Sequence, residues 1–252
     1  MMSSLPVWTE QIRVRPFETD FQNLWKPTAV FQAFQDVANN HATNLGFDYR
    51  DMLADDRLWV LSRMKVYFYS FPTTGDMLTV RTWPKGIRQK IFFARDFQVM
   101  LADGTPVVAA TSAWLLISPR SRRMLPPTAL PGDLPDNAGL HAVDEDLEKL
   151  APSNNLAEKF TAHGSYSAVD LVGHVNNARY IDWVLDCFPF EHFRQNRLAW
   201  LQINYSHEVR AGESVRVSAG ARADDPARWL VVGEKAGSGE IAFEVETGWV
   251  SQ

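Results

Sequence analysis

The chain has 252 residues, of which 46% are hydrophobic and 22% are charged, and its formal net charge is −5. This length permits one large domain or two ordinary ones, and the acidic balance argues against a general nucleic-acid binder. The single cysteine, Cys187, excludes an internal disulfide framework and a cysteine-based metal cluster, and it suits a reducing cytoplasm. No run reaches the length of a membrane span, and the first residues do not resemble a signal peptide.

The first long element along the chain is a predicted helix from about Pro27 to Leu45. Pro27 suits the first turn, Gly46 suits the stop, and apolar side chains recur between them at helical spacing. This apolar face consists of Val30, Phe31, Phe34, Val37 and Ala38. His41, near the end of the helix, is expected to pack or cap locally.

Alternating strands are predicted after this helix, and the first of them contains LWVLSRMKVYFYSF, residues 58–71. Side chains on a strand alternate between its two faces. One face is predicted to carry Val60, Met64, Val66 and Phe68, and the other Trp59, Leu61 and Tyr67. Because both faces are largely apolar, the strand is buried on both sides or lines a cavity.

Residues 126–157 differ from their surroundings, because they are rich in Pro, Asp and Asn and poor in strand-forming residues. Five prolines, at positions 126, 127, 131, 135 and 152, exclude a continuous sheet in this segment. We therefore predict a linker with one short helix near DEDLEKL, residues 144–150. The linker separates a first domain of residues 1–125 from a second domain of residues 158–252.

The second domain contains the stretch DLVGHVNNARYIDWVLDCF, residues 170–188, in which a polar turn leads into an amphipathic helix. The helix is predicted over residues 176–188, with Pro189 as its stop. Its apolar face consists of Ala178, Ile181, Leu185 and Phe188. A helix start exposes free N–H groups and a partial positive charge, so this turn suits an oxyanion or a carboxylate. Asn at a helix start is also an ordinary cap.

The two halves repeat the same order of signals. Gly75–Asp76 corresponds to Gly212–Glu213, and Gly104 and Trp114 correspond to Gly239 and Trp249 at one shared offset. Each half therefore contains a short strand, a long helix and about four antiparallel strands. The predicted fold class is α+β, with two tandem domains in which an antiparallel sheet wraps around a helix.

The stretch DLVGHVNNARYIDW resembles the Asp-x-x-Gly-His-Val-Asn-Asn-x-x-Tyr-x-x-Trp signature of hotdog-fold thioesterases. Together with WVLSRMKV and TWPKG in the first half, the whole chain resembles the acyl-ACP thioesterases of bacteria and plant plastids. The resemblance implies two hotdog domains and hydrolysis of fatty acyl-ACP in fatty acid biosynthesis, a branch of lipid metabolism. It also implies an enzyme that needs no metal or cofactor and has acyl carrier protein (ACP) as its partner. The cysteine usage described above favours the cytoplasm as the location of this enzyme.

The resemblance assigns catalytic roles by position. Asp170 and His174 match the family's Asp and His, and the element YSHE gives the acidic role to Glu208. Asp170 or Glu208 is expected to be the general base toward water, or Asp170 the direct nucleophile, while His174 bridges carboxylate and water or holds one tautomer. Val172 stands where the family usually has Asn, and Val209 stands where plant members often have Cys.

The N–H groups after Gly173 are expected to stabilise the thioester oxyanion. The residues predicted to bind substrate are Gly173, Val172, Asn176, Val60, Met64 and Phe68. Asn176 has a capping interpretation as well. Alternation places Gln202, Asn204, Ser206 and Glu208 on one polar strand face, which either lines the site or faces solvent.

The first repeat has Asp20 in the position of Asp170 but Leu24 in the position of His174. We therefore expect the first repeat to be non-catalytic and to form the acyl pocket. ACP is acidic, so its docking surface is expected to be basic. The residues predicted to bind it are Arg120, Arg122, Arg123, Lys85, Arg88 and Lys90. The alternative is that these residues belong to ordinary solvated loops.

Two other functions remain open at this point. One is a thioesterase that prefers acyl-CoA, and the other is a non-catalytic acyl-binding protein in which Val172 marks the loss of activity. For the oligomeric state, a homodimer is one option.

Overall fold

The structure, a computed structural model, describes residues 5–137, 139–152 and 155–252. The chain divides into two compact units, residues 1–147 and residues 148–252. This division falls inside the segment predicted as a linker, and the predicted domain limits at residues 125 and 158 stay predictions.

The first unit contains a long helix and one antiparallel sheet. Its elements are β1 (Trp8–Arg13), α1 (Pro27–Asn44), α2 (Tyr49–Ala54), β2 (Leu58–Phe68), β3 (Met77–Arg88), β4 (Phe92–Leu101), β5 (Pro106–Ser118) and β6 (Arg123–Met124). The strand order is β1-β3-β4-β5-β2, with β6 paired to β5. Helix α1 starts at Pro27, as predicted, and Gly46 beyond its end has a φ of 85° that favours glycine.

Helix α1 packs its apolar side on one face of this sheet, which we call the helix face. Phe34 of α1 stacks on Phe97 of β4 with ring centroids 4.5 Å apart, and both side chains are buried. Ala110 of β5 pairs with both Phe97 and Val66 of β2, so these residues share the helix face. Each fully buried side chain of this size stabilises the unit by about 2 kcal/mol.

A β-bulge at Ser62 corrects the predicted faces of β2. Leu61 pairs with Trp114 and Arg63 pairs with Ala113, so Ser62 is an extra residue that shifts the alternation. Leu61 therefore lies on the helix face with the buried Met64 and Phe68. Val60, predicted to share a face with those two residues, lies on the opposite face.

The segment from Leu140 to Leu147 covers that opposite face. Its backbone accepts a hydrogen bond from the indole of Trp83, and its amide at Ala142 donates to the carboxylate of Asp96 at 2.8 Å. The predicted short helix over residues 144–150 is wrong, since this stretch has no helical residues. Its backbone groups bond to side chains of the sheet, and this keeps the segment extended.

The second unit repeats the first. Its elements are β7 (Ala157–His163), α3 (Arg179–Leu185), α4 (Phe190–Gln195), β8 (Asn196–Tyr205), β9 (Ser214–Ala221), β10 (Arg228–Lys235) and β11 (Ile241–Ser251). The strand order is β7-β9-β10-β11-β8, the same order as in the first unit. The predicted α+β class and the tandem repeat are confirmed.

Even side-chain hydrogen bonds recur between the units. The indole of Trp114 donates to Ser112 Oγ at 2.8 Å, and the indole of Trp249 donates to Thr247 Oγ1 at 2.9 Å. The helices differ, because α3 has 7 residues where α1 has 18. The prediction of a helix over residues 176–188 was therefore too long at both ends.

The polar side chains of β8 are covered by the chain itself. Gln202 and Asn204 are buried, and Gln202 Nε2 donates to the carbonyl oxygen of Glu148 at 2.8 Å. Strand β8 ends at Tyr205, so alternation does not extend to Glu208. The predicted common face of Gln202, Asn204, Ser206 and Glu208 is wrong for this reason.

Within residues 5–137, 139–152 and 155–252, no helix combines the length and apolarity needed to cross a membrane.

Candidate active site

The polar turn before α3 is fixed by its own backbone. Asp170 N–H donates to His174 O at 2.9 Å, Gly173 N–H donates to Asp170 O at 3.0 Å, and Val172 N–H donates to Asp170 Oδ1 at 3.0 Å. Gly173 has a φ of 80°, which glycine adopts without steric cost. The turn thus presents the side chains of Asp170 and His174 from a defined backbone.

The turn is joined to the loop that follows β8. Val175 N–H donates to Val209 O at 2.8 Å, and His174 forms an isolated antiparallel bridge with Arg210. This pairing brings His174 beside residues 208–210, although they are more than thirty positions apart in sequence.

The imidazole of His174 contacts the carboxylate of Glu208. His174 Nε2 lies 3.2 Å from Glu208 Oε2, and Glu208 Oε1 accepts from Arg210 Nε at 3.0 Å and from Arg210 Nη2 at 2.6 Å. These side chains are 33–44% exposed, so a substrate or water can reach them. Nδ1 of His174 has no hydrogen-bond partner among the described residues. It is therefore the ring nitrogen that a water molecule can approach.

Two tyrosines underlie this site. Tyr205 Oη donates to Asn177 O at 2.9 Å, and its ring packs edge-on against Tyr180. Burial raises the pKa of the Tyr180 hydroxyl, and the nearby carboxylates of Asp170 and Glu208 raise it further. That hydroxyl also contacts the backbone of Val209. Tyr180 thus links α3 to the loop that carries Glu208.

The backbone N–H groups near the turn are only partly available. Val175, Asn176 and Ala178 donate to Val209 O, Ala168 O and Asn176 Oδ1, so Asn176 acts as a local cap. Among the described residues, the N–H groups of His174 and Asn177 have no acceptor. The predicted oxyanion donors after Gly173 are therefore narrowed to these two groups.

The first unit contains the same turn without the same side chains. Asp20 N–H donates to Leu24 O, and Asp20 Oδ1 accepts from both Gln22 and Leu24 N–H groups. Leu24 forms the bridge that His174 forms in the second unit, here with Thr73 in the place of Arg210. The position of Glu208, two residues before that bridge partner, is occupied by Phe71. The Asp20 turn therefore lacks the imidazole–carboxylate pair that is present at the Asp170 turn.

The other predicted substrate residues divide into three groups. Val172 is 37% exposed beside Asp170, whereas Met64 and Phe68 are buried on the helix face of the first unit. Val60 lies on the opposite face, where its neighbour across the sheet is Leu115. The assignment of Val60 to the same pocket as Met64 and Phe68 is therefore wrong.

Five of the six predicted carrier-binding residues lie in or directly beside two turns of the first unit. Arg120, Arg122, Arg123 and Lys90 are exposed, and Arg88 is partly exposed near Asp146. Lys85 is only 5% exposed and forms an ion pair with Asp96 at 3.2 Å. Because a buried and paired ammonium presents no charge to a partner, the prediction for Lys85 is wrong.

Cys187 is buried, and burial raises the pKa of its thiol to about 12, so it remains protonated and unreactive. The described residues contain no group of three or more His, Cys, Asp or Glu side chains placed to hold a metal ion.

Arg210 and Tyr180 were not predicted to belong to the site. A local signal existed for Arg210, since it follows Glu208 by two residues and side chains two apart in extended chain lie on one side. Tyr180 belongs to the quoted signature, but its hydroxyl contact with a distant loop has no local signal.

Two family models match the chain, the acyl-ACP thioesterase N-terminal domain over residues 6–128 and the C-terminal domain over residues 153–251. The chain belongs to the acyl-ACP thioesterase family.

Among its relatives are the palmitoyl-acyl carrier protein thioesterase of Gossypium hirsutum, 26% identical, and the dodecanoyl-[acyl-carrier-protein] hydrolase of Cinnamomum camphora, 25% identical. Both are chloroplastic, and the matches cover 80% of this chain but 52% and 56% of those proteins. The chain thus spans about half the length of these curated relatives.

Two solved structures share the fold over nearly the whole chain. An acyl-ACP thioesterase from Bacteroides thetaiotaomicron superposes with a TM-score of 0.81 at 26% identity, covering 97% of this chain and 98% of that one. The 12:0-ACP thioesterase from Umbellularia californica superposes with a TM-score of 0.83 at 23% identity, covering 98% of each chain.

Proposed function

We propose that this protein hydrolyses fatty acyl-ACP thioesters and releases free fatty acid and holo-ACP. The observation that carries the proposal is the contact of His174 Nε2 with Glu208 Oε2 at 3.2 Å beside the Asp170 turn, within a chain of the acyl-ACP thioesterase family. An enzyme of this kind serves fatty acid metabolism. We propose the cytoplasm as its location, on the basis of the single buried cysteine.

In the proposed mechanism, the carboxylate of Glu208 holds the Nε2–H of His174, and Nδ1 takes a proton from water. The water oxygen bonds to the thioester carbonyl carbon, and the backbone N–H of His174 donates to the oxyanion that forms. The C–S bond then breaks, and the imidazolium returns its proton to the leaving thiolate. Asp170 is proposed to orient the water, with direct attack by its carboxylate as the alternative.

The acyl chain is proposed to bind in the first unit. Support comes from the apolar helix face of its sheet, where Met64 and Phe68 are buried, and from the absence of the imidazole–carboxylate pair at its Asp20 turn.

Acyl carrier protein is proposed to dock on the exposed arginines at the end of β5. Arg120, Arg122 and Arg123 lie in one turn and strand there, and an acidic partner is attracted to such a cluster. Arg88 at the end of β3 and Lys90 in the turn before β4 are proposed to belong to the same docking surface.

The test is thiol release from purified protein with acyl-ACPs of several chain lengths, compared with acyl-CoAs of equal length. We expect turnover with acyl-ACP, and a joint Arg122→Glu and Arg123→Glu substitution should reduce kcat/KM for acyl-ACP by at least tenfold. Arg216→Gln, which removes a cation from an exposed ion pair on β9, serves as control.

Faster turnover of acyl-CoA, unaffected by the double substitution, would favour an acyl-CoA thioesterase. Tight acyl binding without turnover of any carrier would favour a binding protein. In that case Val172→Asn, which restores the residue usual in the family, should create activity.

A further inference from the structure

Glu208 lies between two basic side chains in the second unit. One carboxylate oxygen, Oε2, faces His174, and the other, Oε1, receives two hydrogen bonds from the guanidinium of Arg210. A guanidinium that donates twice fixes both the charge and the orientation of a carboxylate. The pKa of Arg210 is raised, chiefly by its hydrogen bond to Glu208, so the two groups stay oppositely charged.

The backbone places Arg210 for this contact. His174 and Arg210 are bridge partners, Arg210 N–H donates to Glu213 Oε2 at 2.8 Å, and Lys235 Nζ donates to Glu208 O at 3.2 Å. The loop from Glu208 to Glu213 is thus held from β10 and from the Asp170 turn. In the first unit the bridge partner is Thr73, and Asp76 caps its N–H in the same way. The frame is shared by both units, whereas the arginine is present only beside the imidazole.

We propose that Arg210 is a positioning residue that keeps Glu208 ionised and directed at His174 Nε2. Nδ1 of the imidazole is then the proton acceptor. This inference rests on the proposed function. Glu208 is then an orienting group and not the base. A carboxylate held by a guanidinium is a weak proton acceptor, whereas a neutral imidazole suits proton transfer near neutral pH.

Four other titratable groups surround His174, Glu208 and Arg210. They are Asp170 from the turn, Tyr180 from α3, Glu213 from the loop, and Lys235 from β10, which pairs with Glu213 at 3.0 Å. Substitution of Arg210 removes the two guanidinium donors to Glu208 Oε1. The Glu208 carboxylate is then no longer held in the orientation that faces His174 Nε2.

The experiment compares wild type with Arg210→Gln, Arg210→Lys and the control Arg216→Gln, whose arginine is equally exposed in an ion pair with Glu234. Nitrogen-15 NMR of the His174 imidazole in the free protein at neutral pH, assigned with His174→Gln, reports its tautomer. We expect the Nε2–H tautomer in wild type and in the control. Arg210→Gln should populate both tautomers, and Arg210→Lys should restore the Nε2–H tautomer.

The kinetic arm measures kcat and KM of acyl-ACP hydrolysis. In Arg210→Gln, kcat should fall on the order of tenfold with little change in KM. A His174 tautomer unchanged by Arg210→Gln would overturn the inference, as would a rise in KM alone, which would place Arg210 on the substrate. If wild type turned over no acyl thioester, the proposed function would fail, while the tautomer would still decide the role of Arg210.

Discussion

At the scale of single residues, His41 shows how burial and a neighbouring cation act on one side chain. Its ring is fully buried, Nε2–H donates to Leu5 O at 2.8 Å, and Nδ1 accepts from Arg95 at 3.1 Å. Burial first, and then the charge of Arg95, lower the pKa of His41 to about 4. His41 is buried, as the packing prediction expected, but its ring packs with Leu5 and Arg95, which are distant in sequence, and not locally.

This pKa predicts how stability depends on pH. The folded pKa of His41 lies below its unfolded value of 6.5, so its stabilising contribution is complete above about pH 6.5 and is lost as pH falls toward 4. Between pH 7 and pH 5 the free energy of unfolding should fall by about 2 kcal/mol from this residue alone. Urea unfolding at both pH values measures this.

A comparison with His41→Gln isolates the effect, because burial also lowers the pKa of His192 and gives wild type a second contribution of the same sign. His41→Gln should be less stable at pH 7 but should lose about 2 kcal/mol less than wild type on acidification. Equal dependence in wild type and His41→Gln would show that His41 titrates normally in the folded state.

At the scale of elements, local sequence patterns predict helix α1 and the order of helices and strands in each unit, but they do not predict the bulge in β2. The extra residue at Ser62 reverses the alternation between Leu61 and Met64, and nothing in the local sequence distinguishes a bulge from a regular strand. The late start of α3 also depends on a local contact that the apolar pattern does not indicate. The side-chain oxygen of Asn176 accepts a hydrogen bond from Ala178 N–H in a turn, so the helix begins three residues later than the pattern predicts.

The turn before α3 predicts which substitutions it tolerates. Gly173 has a φ of 80°, no heavy atom lies within 4 Å of a Cβ placed there, and Asn23 occupies the equivalent position in the first unit with a φ of 63°. Gly173→Asn should therefore change the free energy of unfolding by less than about 0.5 kcal/mol, whereas Gly173→Val should lower it by about 1–2 kcal/mol. Thermal or urea unfolding of the two variants checks this. Equal losses would mean that bulk, and not backbone conformation, limits the site.

At the scale of the whole molecule, the repeat is the feature that the sequence predicts best. Gly104 and Trp114 correspond to Gly239 and Trp249 at one offset. In both units the tryptophan lies on an equivalent strand, and its indole makes an equivalent hydrogen bond. The site was predicted less completely. Asp170, His174 and Glu208 were found through a family signature, and the structure brings His174 and Glu208 into contact. Arg210 lies two residues after Glu208, but its place beside His174 depends on bridge pairing between segments that are distant in sequence. Lys235, which donates to the backbone of Glu208, comes from β10.

The central claim is that only the second copy of the repeated turn is reactive, and paired substitutions in the two copies test it most directly. Asn in place of Asp170 or Asp20 keeps a side-chain oxygen for the turn N–H groups and removes the charge. In acyl-ACP hydrolysis, Asp170→Asn should lower kcat/KM by at least about 100-fold, and Asp20→Asn should leave it within about twofold of wild type. Wild-type activity in Asp170→Asn, or equal losses in both variants, would contradict the account.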